Sequence, residues 1–265
     1  MYALLGATLK HSLSPEIHTL IFRELGIPGE YSLLELPATD LQAAICGRKY
    51  QGFNVTIPYK QEVMQYLDKL SPEAEQIGAV NTIKYTPDGI VGYNTDYLGF
   101  GNMLQANDID VEGKTVVILG LGGSTKTVAS YMQNNKAKKI YVASRSPLGK
   151  QALPSTELIS YADLDSLQNP DIVINATPCG MYPNIDVAPL SVSQVAKFKV
   201  AVDLIYNPAQ TLFLQYAKQH GLKYVNGLRM LVAQAVYAQE IWQERNISAE
   251  GMQKILQEIG ARYEA

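Results

Sequence analysis

Residues 115–126 read TVVILGLGGSTK, and this stretch decides the fold. Its first part is a continuous β-branched and aliphatic run, as expected of a strand buried on both faces in a parallel sheet. The run leads straight into Gly120-Leu121-Gly122-Gly123-Ser124, and a helical pattern follows. A Gly-x-Gly alone carries little information, but between a buried strand and a helix it reads as a phosphate-binding turn. Glycines let the backbone turn tightly and approach a pyrophosphate, whose charge rests on the free N–H groups of the helix N-terminus. Thr125 stands where a third small residue would complete the pattern, so the helix is expected slightly farther from the strand.

The end of the next strand selects the nucleotide. An NAD enzyme places an acidic residue there, ~20 residues beyond the glycines, on the ribose 2′-hydroxyl. This chain has Ser144-Arg145-Ser146 after KKIYVA, with no Asp or Glu. An arginine flanked by hydroxyls suits a 2′-phosphate and can stack on adenine. The predicted cofactor is therefore NADP.

Moving outward, DIVINATP (from Asp171) and VAVDLIY (from Val200) are further buried strands. Upstream, YALLGA (from Tyr2), YSLLEL (from Tyr31), GFNVTIP (from Gly52), AVNTIKY (from Ala79) and IVGYNTD (from Ile90) read as a second set. The last two are joined by Thr86-Pro87-Asp88-Gly89, a hairpin signal, so one pair is expected to be antiparallel. The polar stretch 107–114 is the best boundary, and helical patterns over 228–244 and 248–262 close the chain. The reading is α/β with two domains. Residues 1–100 are expected to form one domain with a mostly parallel sheet, with the terminal segment 238–265 packing back on it. Residues 101–237 form a Rossmann-type dinucleotide-binding domain.

Composition excludes other classes. The chain has 265 residues, 47% hydrophobic and 18% charged, with a net charge of −3. That is too apolar for disorder and lacks the basic balance of a nucleic-acid binder. No apolar run reaches the ~18 residues of a membrane span, and no secretory signal pattern opens the chain. Cys46 and Cys179 make no disulfide framework, so a cytoplasmic location is expected. His11, His18 and His220 show no metal-ligand spacing, so no metal is predicted.

The first domain carries the polar residues of a small-molecule site. Ser14-Pro15 reads as a helix N-cap and first helical position, which leaves Ser12 free in a loop at a strand end. In Asn54-Val55-Thr56-Ile57-Pro58-Tyr59-Lys60, alternation puts Asn54 and Thr56 on one face. Pro58 is expected to open a helix, placing Lys60 in a first turn where a cation is disfavoured, which marks it as functional. Asp96 follows Asn94-Thr95 and reads either as a helix N-cap or as a site carboxylate, and Asn81-Thr82 lies in the neighbouring strand. Gln234 is an amide within an apolar helical stripe. Together these suit a small hydroxylated ligand, with Lys60 and Asp96 as the pair able to move its proton.

These residues resemble the shikimate dehydrogenase family. The motifs run in order along the whole chain: Ser12-Leu13-Ser14-Pro15, Asn54 to Lys60, Ala79-Val80-Asn81-Thr82, Gly92 to Asp96, Gly120 to Gly123, Asn175-Ala176-Thr177-Pro178, Tyr206-Asn207-Pro208 with Thr211, and Asn226-Gly227-Leu228 through Met230 to Ala235. The resemblance implies NADP-dependent, reversible reduction of 3-dehydroshikimate to shikimate in aromatic amino-acid biosynthesis. It implies that Ser12, Ser14 and Tyr206 meet the substrate carboxylate and that Thr56, Lys60, Asn81, Asp96 and Gln234 bind ring hydroxyls. Gly227 and the backbone near Leu204 would line the nicotinamide, Ala176-Thr177 would lie along the cofactor, and Met230 would also contact it. The chain departs from the family pattern at Thr125, Ser144 and Leu204. The competing readings are an NAD-dependent quinate/shikimate dehydrogenase, a methylenetetrahydrofolate dehydrogenase and a nucleotide-sensing regulator without turnover. The absent acid after KKIYVA, the absent pterin pocket and the presence of both Lys60 and Asp96 argue against each in turn. A monomer and a homodimer are both compatible with the sequence.

Overall fold

The computed structural model describes residues 1–9 and 12–262, and within it the chain divides into two compact units. The first contains Met1–Gly99 and Val232–Ile259. Its sheet has the order β2-β1-β3-β5-β6-β4, where β1 is Tyr2–Gly6, β2 Tyr31–Glu35, β3 Gly52–Val55, β4 Lys69–Leu70, β5 Thr82–Thr86 and β6 Gly89–Tyr93. The β2-β1-β3 pairs and the β4-β6 pair are parallel. The pairs β3-β5 and β5-β6 are antiparallel, and Thr86 Oγ1 donates to Gly89 O at 2.9 Å across the hairpin turn. Every residue of β1 and β3 is buried, which is why both read as apolar runs.

Helix α1 (Ser14–Leu25) buries Ile17, His18, Ile21, Phe22 and Leu25 along one stripe and ends at Gly26, whose φ of 65° needs a glycine-like conformation. The short helices α2 (Leu41–Cys46) and α3 (Pro72–Ile77) follow, then α4 (Thr95–Gln105). The core gathers Ala3, Leu5, Leu41, Ile45, Phe53, Val55, Val63, Val80 and Ile83. Late in the chain, α8 (Leu228–Gln243) and α9 (Ala249–Gly260) return to this unit. Helix α9 lies against α1, where Arg23 pairs with Glu258.

The second unit contains Phe100–Leu231 and the last residues from Gly260. Its sheet has the order β12-β11-β10-β7-β8-β9, with every pair parallel. The strands are β7 (Thr115–Leu119), β8 (Lys139–Ser144), β9 (Glu157–Ser160), β10 (Ile172–Asn175), β11 (Val200–Asp203) and β12 (Lys223–Val225). Numbered from β7 within the unit, the order is the 3-2-1-4-5-6 arrangement of a dinucleotide-binding sheet. The order reverses between β7 and β10, so the loops after these strands flank the crevice where such sheets bind ligands. Helices α5 (Gly123–Asn134), α6 (Val192–Val195) and α7 (Leu212–Gln219) complete the unit.

The contact boundaries differ from those read in the sequence. The chain passes between units inside α4, after Gly99, so the polar stretch 107–114 links α4 to β7 within the second unit. The return falls at Val232 rather than at 238, because Val232, Ala233, Ala235 and Val236 are wholly buried and make their contacts with the first unit. Strands β4, β9 and β12 have no counterpart in the sequence reading. They are short, and β9 and β12 are edge strands with exposed positions, so they lack an apolar run.

Candidate active site

In the first unit, Lys60 and Asp96 meet. Lys60 Nζ donates to Asp96 Oδ2 at 2.6 Å, with the side chains 28% and 17% exposed. Lys60 is not in a helix, as the sequence reading held. It lies in a turn, and the 3₁₀ helix Glu62–Tyr66 begins two residues beyond it. Val80 N donates to Lys60 O at 2.7 Å and fixes the turn to the segment before β5. Asp96 is not the cap of α4. Asn94 Oδ1 accepts from Tyr97 N at 3.2 Å in that role, and Asp96 stands in the first turn, where the positive helix end favours an anion.

The asparagines build the wall behind this pair. Asn81 is buried, and its Oδ1 accepts from Thr95 N at 2.6 Å, fixing the residue before Asp96. Asn54 is also buried, and its Nδ2 donates to Asn81 O at 3.2 Å and Thr82 Oγ1 at 3.0 Å. Its Oδ1 accepts from Tyr31 Oη at 2.7 Å. Tyr31, absent from the sequence reading, also bonds to Ser14, and burial pushes its phenol well above the usual value. Thr56 is partly exposed just beyond β3.

Ser14 is the first residue of α1, and Leu13 occupies the cap position without a side-chain cap. The local capping falls to Ser12, whose Oγ accepts from Ser14 N at 3.2 Å and donates to Ser14 Oγ at 3.1 Å. Gln234 is only partly buried, and the wholly buried amide of α8 is Gln239. Gln239 Nε2 lies 2.9 Å from Nδ1 of the buried His18, whose ring stacks on Tyr31 at 3.8 Å. Burial pushes the His18 imidazole down to about 3. His220 is exposed at the end of α7, and His11 lies outside the described residues.

In the second unit, Gly120 follows β7 with φ 99°, and a Cβ there would fall 2.7 Å from Thr177 Cγ2. Gly122 and Gly123 face open space at the start of α5. Leu121 is partly exposed and Ser124 exposed beside them. Thr125 has a role of its own in this loop. It is buried, its Oγ1 donates to Gly120 O at 3.1 Å and accepts from Gly122 N at 3.2 Å, and so it closes the loop itself. A pyrophosphate fits this open, glycine-lined helix end.

At the end of β8, Ser144 is buried and its Oγ accepts from Ser146 N at 3.4 Å and Lys150 Nζ at 3.3 Å. Arg145 and Ser146 are exposed. Lys150 is a cation the sequence reading missed, since it lies outside the three-residue motif. The group suits a 2′-phosphate. Ala176, Thr177, Leu204, Tyr206 and Met230 are partly buried, and Gly227 is buried where a Cβ would collide with Leu204 O.

Comparison with known proteins agrees with this arrangement. Residues 4–83 match the family model described as the shikimate dehydrogenase substrate binding domain. The chain is 42% identical over 269 residues to a protein of Clostridium perfringens named shikimate dehydrogenase (NADP(+)), covering 99% of each. Among solved structures, it is similar to a chorismate mutase/shikimate 5-dehydrogenase fusion protein from Clostridium acetobutylicum, with a TM-score of 0.96, 44% identity and coverage of 100% and 98%. It is also similar to shikimate 5-dehydrogenase from Thermus thermophilus in complex with NADP(H) and shikimate, with a TM-score of 0.87, 32% identity and coverage of 97% and 98%. With a glycine-lined dinucleotide loop in one unit, a lysine–aspartate pair in the other and full-length relatives of one kind, the chain belongs to the shikimate dehydrogenase family.

Proposed function

We propose that this chain catalyses the reversible NADPH-dependent reduction of 3-dehydroshikimate to shikimate, with Lys60 and Asp96 handling the proton. The observation that carries the reading is the Lys60–Asp96 contact of 2.6 Å, partly exposed to solvent on a wall of hydrogen-bonded asparagines and threonines. When bound, NADP(H) supplies or accepts the hydride. Gly120 to Ser124 would hold its pyrophosphate, Ser144, Arg145 and Ser146 its 2′-phosphate, and Ala176, Thr177, Leu204, Gly227 and Met230 its remaining length.

The proton falls to the first unit. An ammonium has three hydrogens, and Asp96 engages one, which fixes Nζ and leaves the others for a substrate oxygen. In reduction, Lys60 gives a proton to the oxygen as it becomes a hydroxyl, and in oxidation it takes that proton back. Asp96 holds the lysine and accepts from a ring hydroxyl. Ser12 and Ser14 donate to the substrate carboxylate, and Thr56, Asn81 and Gln234 bind the ring. Asn54, saturated by its neighbours, holds the wall that presents them.

No helix among the described residues is long and apolar enough to cross a membrane, and Cys46 and Cys179 are free thiols. A reducing, cytoplasmic setting fits the latter. The test is steady-state kinetics with NADP and shikimate. Lys60→Ala and Asp96→Ala should each lower kcat by ~10²–10⁴-fold with little change in KM. A Lys60→Ala enzyme keeping more than about a tenth of wild-type kcat would remove the lysine from the chemistry.

A further inference from the structure

The second unit holds a buried carboxylate that the proposed chemistry does not use. Asp203 ends β11 and is wholly buried. Its hydrogen-bond partners are neutral. Oδ1 accepts from Asn175 Nδ2 at 3.0 Å and from Ile205 N at 3.1 Å, and Oδ2 accepts from Thr211 Oγ1 at 2.6 Å. Burying a charge without a cation is costly, so its presence calls for a reason.

The bonds continue outward from Asp203. Asn175 Oδ1 accepts from Thr177 Oγ1 at 2.6 Å and from Thr177 N at 3.1 Å, and Asn175 Nδ2 also donates to Cys179 O at 3.2 Å. Thr177 in turn fills the space left by the absent Cβ of Gly120. On the other side, Thr211 caps α7 by accepting from Leu214 N at 3.3 Å. One carboxylate therefore ties the loop after β10 to the loop after β11 and the start of α7, and through Thr177 it reaches the loop after β7. The strands β7, β10 and β11 are neighbours, and their carboxyl ends are where such a sheet receives its ligand. A threonine cap alone satisfies α7, and it needs no buried anion to do so.

We infer that Asp203 is a positioning residue for the dinucleotide, holding residues 176–179 and 204–205 in the conformation that receives it. This rests on the reading of the second unit as the NADP-binding unit. Burial pushes the Asp203 carboxyl up to about 6, so at neutral pH both oxygens act as acceptors.

Asparagine separates charge from connectivity. Its Oδ1 can keep the bonds from Asn175 and Ile205, and its Nδ2 can donate to Thr211 Oγ1 once that hydroxyl turns. Alanine keeps none of them. The experiment is a fluorescence titration of NADPH without substrate, beside KM for shikimate at saturating NADP and far-ultraviolet circular dichroism. Asp203→Asn should bind NADPH within about threefold of wild type. Asp203→Ala should bind it at least tenfold more weakly, a change of ~1.4 kcal/mol, with a clearly smaller rise in KM for shikimate. If Asp203→Ala does not fold, Thr211→Val, which removes the bond to Asp203 Oδ2 together with the cap of α7, should weaken NADPH binding by about threefold or more. Wild-type NADPH affinity in Asp203→Ala, or in Thr211→Val where the alanine variant does not fold, overturns the inference. So does an asparagine variant as weak as the alanine one, or equal losses for NADPH and shikimate. A wild-type enzyme that binds NADPH but does not oxidise shikimate refutes the proposed reaction and leaves this test standing.

Discussion

Replacing His18 by glutamine should remove a large acid-sensitive contribution to the stability of the first unit. His18 is wholly buried, stacked on Tyr31, and bonded through Nδ1 to Gln239 Nε2. Gln239 Oε1 already accepts from Gln243 Nε2 at 3.0 Å, so Gln239 presents its amide hydrogens to His18, and the neutral imidazole is the form that fits. Burial lowers its pKa from 6.5 to about 3. A base whose folded pKa lies below its unfolded value contributes stability that is complete above 6.5 and is lost as pH falls toward 3. At about 1.4 kcal/mol per pH unit, the full span is worth ~5 kcal/mol, of which ~3 kcal/mol is gone by pH 4. That is a sizeable share of the ~5–15 kcal/mol that holds a typical domain folded. Glutamine loses the stack and costs ~1–2 kcal/mol at pH 7, so the two stability curves should cross near about pH 5.5. The assay is urea unfolding followed by tryptophan fluorescence at several values between pH 7 and 4. The chain has one tryptophan, Trp242, whose ring lies 5.7 Å from that of His18, so the signal reports this unit. Other titrating groups cancel in the difference between the two proteins. Parallel curves for wild type and His18→Gln across this range would refute the argument.

Two further outcomes concern the second unit. Arg145→Ala should weaken NADP by ~2 kcal/mol and leave NAD almost unchanged, because only NADP offers a 2′-phosphate to the exposed guanidinium; equal losses for both cofactors would show another role. Gly227→Ala should cost ~1–3 kcal/mol and raise KM for NADPH, since a new Cβ meets the Leu204 carbonyl and backbone must move. Urea unfolding by circular dichroism together with cofactor kinetics checks this, and unchanged values in both would contradict it.

Much of the fold was legible because β7, β10 and β11 are buried on both faces and spell their burial as apolar runs. The Lys60–Asp96 partnership was legible as chemistry, but the position of each along its element was not. Pro58 reads as a helix opener, yet the next residues make a turn, and Asn94 takes the cap that Asp96 could have filled. The supporting layer was hidden for a different reason. Tyr31, His18 and Gln239 come from β2, α1 and α8, and only tertiary contact brings them beside Asn54 and Ser14. Asp203 was hidden in the same way, since VAVDLIY shows an acid in a strand but not the asparagine and threonine that receive it.

The first unit is interrupted in sequence: its opening ninety-nine residues wait for the segment Val232–Ile259. Trp242 shows what that segment brings. Its Nε1 donates to Ile83 O at 2.9 Å, its ring stacks on Tyr2 at 4.5 Å, and Gly52 lacks a Cβ where the indole lies. During synthesis the second unit has all its strands before the residues that cover this face of the first sheet have been made. Until that segment is made, the first sheet lacks this cover, and Tyr2 and Phe22 are open to other apolar surfaces. A chain truncated before Val232 would keep every strand of the second unit and lack the segment that covers the first, so the order of the segments in the sequence puts the first unit at greater risk.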